Sequence, residues 1–302
     1  MRDAIIASAV SNRSTGKRLN PPKLAHASTL RVIAVGLLLA FALTATAECP
    51  GDTPGAIRAN PNRPTVSDPA DITQYGVAEL EYGWTDTWQQ SAVHRATVEG
   101  LLKLAVLCDL EIRWTQDTFD SQAAPGESRV HGFGDQLVGF QYRVHRQSKF
   151  IPTFAGRYEA KVPSASARLG LGSGEVDHNL TFMASKDFGP YHFDFNETGI
   201  FSGRPTGGHD TNAFTGLAGS RPIHGPFAIT GEIYRFTRQN ATTNGYGSTL
   251  WGLTYNLTPR LVLDSAIDIG FTSAAPHKSV LAGFTYSLGS FRSILEALHR
   301  KQ

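Results

Sequence analysis

Residues 150–203, FIPTFAGRYEAKVPSASARLGLGSGEVDHNLTFMASKDFGPYHFDFNETGIFSG, repeat with a period of two that leaves few folds open. Phe154, Gly156, Tyr158, Ala160 and Val162 alternate with Thr153, Ala155, Arg157, Glu159 and Lys161. Successive side chains of a strand point to opposite faces, so such a strand has one apolar and one charged face. The pattern recurs with Val176, His178, Leu180, Phe182 and Ala184 against Asp177, Asn179, Thr181, Met183 and Ser185. It recurs again with Tyr191, Phe193 and Phe195 against His192, Asp194 and Asn196. A long connection rich in Ser, Gly and Ala (163–175) alternates with the tight turn KDFGP at 186–190, whose Gly and Pro are turn formers.

The rest of the chain carries the same signature. Strands are read at 76–85, 96–104, 110–118 and 136–145, then at 213–221, 227–236, 249–256, 260–271 and 280–288. At 213–221 the alternation is weak and the facing stays open. Long connections at 120–135, 203–212, 237–247 and 272–279 are interleaved with short ones at 105–109, 146–149, 222–226 and 257–259. The reading is an all-β transmembrane antiparallel barrel of about twelve strands, with long extracellular loops and short periplasmic turns. A soluble sandwich or lipocalin-like barrel shares the alternation, but Trp84, Trp114, Tyr142 and Tyr191 recur on the apolar face near strand ends, where the interfacial girdles of membrane barrels lie.

Composition bounds the alternatives. A net charge of +2 with 18% charged residues excludes a strong bias toward nucleic acid. Beyond the N-terminus no apolar run is long enough for a spanning helix. Residues 1–47 read as a secretory signal peptide: basic residues precede the run VIAVGLLLAFAL, and Ala45-Thr46-Ala47 supplies the cleavage site. The run is too short for a membrane helix, and Glu48 stands where a lipidated Cys49 would need a small residue. Cys49 and Cys108 could pair in an oxidising periplasm. Residues 48–75, with many Pro, Asn and Asp, read as an irregular N-terminal periplasmic segment that either leads into the barrel (76–288) or dips into its mouth. The tail 289–302 ends without the terminal aromatic of many barrels, and 293–301 could form a short amphipathic helix.

The candidate site is the lumen. Glu79, Glu81, Glu99, Lys103, Glu111, Arg113, Arg143, Arg157, Glu159, Lys161, Asp177, Asp194, Glu232, Asp264 and Asp268 face inward in this register. Charges cannot cheaply face lipid, the cost being ~2–4 kcal/mol for Arg or Lys at mid-membrane. They either line a polar pathway and tune what passes, or pair across a narrow bore and fill it. The histidines show no metal spacing, and LGLGSG at 169–174 has the glycines of a phosphate loop without its lysine or following helix. No cofactor and no metal is implied.

The order AKVPSA, LGLGSGEVDHNLTFMASKDFGPYHFDFNETG resembles the family of outer-membrane transporters linked to the MetA (meta-cleavage) pathway of phenol degradation. Its members share a lysine-proline strand end, a Gly/Ser loop, an Asp-led strand, a Lys-Asp-x-Gly turn and an Asn-bearing strand. The resemblance implies passage of a small, aromatic solute across the outer membrane of a Gram-negative bacterium. Membrane lipid and, during biogenesis, the barrel-insertion machinery would be its partners. A second resemblance points elsewhere: His209-Asp210-Thr211-Asn212 is similar to the His-Asp-Ser-Asn motif of outer-membrane phospholipase. Thr211 replaces the serine and no orienting partner for His209 is visible, whereas a nucleophile, base and orienter must all meet. A non-enzymatic channel is the primary expectation, with a lipid hydrolase or a closed structural barrel as alternatives.

Overall fold

The computed structural model describes Cys49 and residues 57–90, 93–238, 244–292, 294 and 295. The segment read as a signal peptide and most of the tail helix read at 293–301 lie outside the described residues. The strands are β1 (Val77–Trp88), β2 (His94–Leu107), β3 (Leu110–Ala123), β4 (Val130–Gly132), β5 (Gln136–His145), β6 (Thr153–Val162) and β7 (Asp177–Phe188). They continue as β8 (Tyr191–Gly203), β9 (His209–His224), β10 (Phe227–Phe236), β11 (Tyr246–Thr258), β12 (Leu261–Gly270) and β13 (Lys278–Ser290).

Apart from β4, which pairs only with β3 so that β5 follows β3 in the sheet, each strand pairs antiparallel with its neighbours in sequence, and β1 also pairs with β13 from Val77↔Ser290 to Trp88↔Lys278. The sheet therefore closes into a twelve-stranded barrel, with the three-residue β4 hooked onto the far end of β3 rather than forming a stave. Closure is what lipid demands, because an open edge would leave backbone N–H and C=O groups without partners in hydrocarbon.

The alternation then sorts side chains inside out relative to a soluble protein. Trp84, Trp114, Phe140, Tyr142, Leu180, Phe182 and Trp251 are exposed on the outer face, while Arg113, Lys103 and Lys161 are among the largest fully buried side chains. Charge lies inward and grease outward.

The strands run further than the alternation predicts. β8 and β9 pair as far as Gly203↔His209, so the long connection read at 203–212 contracts to residues 204–208, closed by Gly207 N–H donating to the Arg204 carbonyl at 2.9 Å. The weak alternation of β9 has a cause: its inward positions hold Phe214, Gly216 and Ala218, so both faces are largely apolar. Leu171, from the connection between β6 and β7, and Ala275, between β12 and β13, are fully buried, so these loops pack back against the barrel.

If Leu180 meets hydrocarbon, Leu180→Arg will cost ~2–4 kcal/mol in a urea-titrated folding equilibrium in lipid vesicles. Thr181→Ser, on the inner face of the same strand, keeps the 2.9 Å hydroxyl bond to Thr198 and leaves that equilibrium nearly unchanged.

A plugged lumen as the candidate functional site

Residues 57–75 enter and leave the barrel at the end closed by the short turns. Ala59 N–H donates to the Pro259 carbonyl at 2.9 Å, and Gly76 N–H to the Ala105 carbonyl at 2.7 Å. Cys49 is disulfide-bonded to Cys108 in the β2–β3 turn at the same end, with Cα atoms 5.3 Å apart. Between these anchors the segment turns back on itself at Arg63–Ser67, roughly half-way along the wall. It is a plug, built without a single strand.

Buried backbone groups need partners whatever their secondary structure, and the wall supplies them from side chains. On the β1 and β10 side, Asn60 N–H donates to Glu79 and Asn62 N–H to Glu81, each at 2.9 Å. Val66 and Ser67 N–H both donate to Glu232 at 2.7 Å. Across the bore the polarity reverses, with Asp68 accepting from Arg113 and Arg157 and Asp71 from Arg143. The Asn60 carbonyl accepts from Lys103 at 2.5 Å, and the Pro69 carbonyl from Gln141 at 3.0 Å. Pro61, Pro64 and Pro69 bring no N–H at all, which reduces the donors that must be satisfied.

The structure places all the sequence-selected charges on the inner wall. Lys103 bridges Glu79 at 2.7 Å and Glu81 at 2.6 Å; Arg113 meets Glu111 at 3.0 Å, and Arg157 meets Glu159 at 3.2 Å. Nearer the long-loop end Lys161 pairs with Asp177 at 2.8 Å. Asp194 contacts His192 at 3.0 Å, Asp264 pairs with Arg63 of the plug, and Asp268 accepts from the Tyr234 hydroxyl at 2.7 Å. Glu99 faces a small cavity beside the plug.

The distribution is lopsided. Among the described residues, every Lys and Arg that a strand turns inward stands on β2 to β6 (Arg95, Lys103, Arg113, Arg143, Arg157, Lys161), interleaved with acids. From β7 round to β1 the inward charges are carboxylates, apart from the imidazole of His192. The plug lies across this field with most of its N–H groups toward the acidic wall and its own carboxylates toward the basic one, the Thr73 N–H being an exception that donates to Glu111 of β3 at 2.8 Å.

Two features escaped the sequence reading. One is an aromatic cluster inside the lumen: Phe214, Tyr234, Phe236 and Tyr246 pack with Ile200 and Ala275, ring centroids of Phe214 and Phe236 lying 4.9 Å apart, and Val66 of the plug packs against them. The other is the plug's course, whose only trace in the strands is glycine on the wet face. A Cβ on Gly83 would meet the Arg63 guanidinium at 2.2 Å, and one on Gly216 would meet Ser67 Oγ at 2.2 Å. Inward glycines mark where another backbone approaches closely. Beside the plug remain cavities of about 60 Å³ against β1 and β2, and about 210 Å³ against β8 to β11.

His209 and Thr211 lie on the outer face of β9, near the long-loop end. Asp210 is paired with Arg204 at 2.5 Å, and the His209 ring lies 5.7 Å from that of His178, whose Nδ1 is 2.7 Å from the Tyr158 hydroxyl. Among the described residues no cluster could hold a metal ion.

No protein-family model and no curated protein matches the sequence. In shape the chain is similar to an outer-membrane channel from Pseudomonas putida F1, at 12% identity and a TM-score of 0.57, covering 78% of this chain and 99% of that one. More distant are the CymD monoaromatic hydrocarbon channel (10% identity, 72% and 89% covered, TM-score 0.42) and outer membrane phospholipase A from Escherichia coli (13%, 77% and 98%, 0.41). The chain is an outer-membrane β-barrel with the fold of a channel. The likeness is one of architecture, and the plug contacts described above are read from this chain's own residues.

Lys103 holds two buried carboxylates, so Lys103→Met strands both and will destabilise the barrel by ~3–5 kcal/mol. Adding Glu79→Gln and Glu81→Gln will recover most of the loss. Heat-modifiable gel migration against temperature reads both effects.

Proposed function

We propose that this barrel passes small solutes across the outer membrane and that residues 57–75 gate it. The observation that carries the reading is a charged wall filled by a segment that is no part of the wall. A barrel closed for purely structural reasons fills its bore with wall side chains. Here Gly83, Gly216, Gly252 and Gly283 leave room instead, and Arg63, Pro64 and Ser67 of the plug occupy it. Every contact between plug and wall is polar or van der Waals, hence exchangeable with water or solute.

The aromatic character of the solute comes from the resemblance to the transporters of phenol meta-cleavage, and the rings of Phe214, Tyr234, Phe236 and Tyr246 inside the lumen are compatible with it. The sequence-selected inward charges would set selectivity once the plug moves. Export by a signal peptide and assembly by the barrel-insertion machinery complete the proposal. An enzymatic role finds no support at His209, where threonine stands in place of the nucleophilic serine.

Planar-bilayer recordings test the gate. The intact chain will give small, intermittent currents, and a variant lacking residues 57–75 a larger, steady one; a folded deletion variant that stays silent overturns the channel reading. The disulfide keeps the plug at a high effective concentration at the lumen mouth. Cys49→Ser will therefore lengthen openings without changing their amplitude.

A further inference from the structure

We infer that the seat of the plug's apex is a binding site for organic amines, molecules with a cationic nitrogen on an apolar body, and that such an amine competes with the plug for it. The inference rests on the channel reading and names the solute class that the gate answers to.

The apex shows what the seat accepts. Val66 lays an apolar side chain against the aromatic cluster, while its N–H and that of Ser67 converge on the two oxygens of Glu232, both at 2.7 Å. An apolar group and a pair of N–H donors are thus held side by side by rings and one carboxylate. An alkyl- or arylammonium presents the same two features within one small molecule.

Three properties of the seat favour the amine over other solutes. First, the peptide N–H groups satisfy the lone pairs of the buried Glu232 carboxylate but leave its charge unpaired, whereas an ammonium supplies a donor and the opposite charge together, the arrangement in which a buried charge is best tolerated. Second, aromatic faces attract cations, and Phe214, Tyr234, Phe236 and Tyr246 are gathered directly beyond Glu232, with Asp268 joined to Tyr234 at 2.7 Å. Third, no inward Lys or Arg stands on the wall from β7 to β1 among the described residues, and the cationic groups that do lie there, Arg63 of the plug and the His192 imidazole, are already held by Asp264 and by Asp187 and Asp194, so the wall favours a cation over an anion. Gly216 keeps the space open: a Cβ would lie 2.2 Å from Ser67 Oγ and 3.1 Å from Glu232 Oε1.

The experiment compares 2-phenylethylamine, 2-phenylethanol and phenylacetate, which share a ring and differ in charge. Calorimetric titration of the full-length protein in detergent reads binding, and bilayer recording of the same protein reads open probability. The amine is expected to bind at least ~10-fold more tightly than the alcohol or the acid and to raise open probability, with tighter binding still when residues 57–75 are deleted and competition is gone. Glu232→Gln and Phe214→Leu should each remove most of that preference; Phe214→Leu keeps an apolar side chain and leaves the Glu232 carboxylate in place, so it reports on the ring even where Glu232→Gln misfolds. If amine, alcohol and acid bind alike while the deletion variant conducts, the amine site is overturned and the channel reading stands. If the amine binds selectively but the deletion variant is silent, the site stands and the channel reading falls.

Discussion

A charged side chain on a strand that crosses lipid has one inexpensive place to go, and that constraint organises the whole molecule. Outward, Arg or Lys near mid-membrane costs ~2–4 kcal/mol; inward, it meets a narrow bore in which it must find a partner or retain water. Part of the charge is settled within the wall, as in Lys103 between Glu79 and Glu81, Lys161 with Asp177, and Arg95 with Asp120 at 2.8 Å. Glu197 marks the limit of the rule. It faces outward half-way along β8, exposed, and takes a hydrogen bond of 2.7 Å from the Thr215 hydroxyl.

The charges left over shape the plug. Carboxylates in excess on one side of the lumen can be answered by N–H groups, and guanidinium groups on the other by carboxylates and carbonyls, so a peptide laid across the bore satisfies both walls at once. An α-helix could not do this, since its backbone donors are already spent on its own carbonyls. An irregular segment with several prolines keeps its few N–H groups free to point at Glu79, Glu81 and Glu232. Of the two courses that the composition of residues 48–75 left open, a leader into the barrel or a segment dipping into its mouth, the second suits a charged lumen, which requires such a composition.

This explains what could and could not be read in advance. Strands β5 and β6 were legible to the residue, because grease and charge alternate cleanly along them; the bounds of β10 were read as well, although Tyr234 and Phe236 face inward and Arg235 outward. β9 was blurred because its inner face carries Phe214 and Ala218, and an apolar lumen wall erases the period. The inward set of charges followed from the same alternation, but their partners did not. Arg63 and Asp264 lie 201 residues apart in sequence, and Ser67 and Glu232 165 apart; no local pattern announces pairings of that range. Only the wet-face glycines, such as Gly83 and Gly216, registered the plug's passage, and a glycine in a strand has several other meanings.

Holding a plug by side-chain contacts also fixes how firmly it can be held. Each hydrogen bond formed in the lumen replaces one to water and contributes only ~0.5–1.5 kcal/mol net, while ordering each backbone residue costs ~1–2 kcal/mol. The two run against each other along the whole segment, so the seated plug gains much less than its contact list suggests. The bonds to charged partners are the stronger ones, at ~1.5–3 kcal/mol, and they concentrate at Glu232, Asp68 and the Lys103 triad. A solute that takes over one of those contacts therefore shifts the balance more than its size implies. The disulfide at Cys49 then ensures that a displaced plug stays beside the mouth it must close.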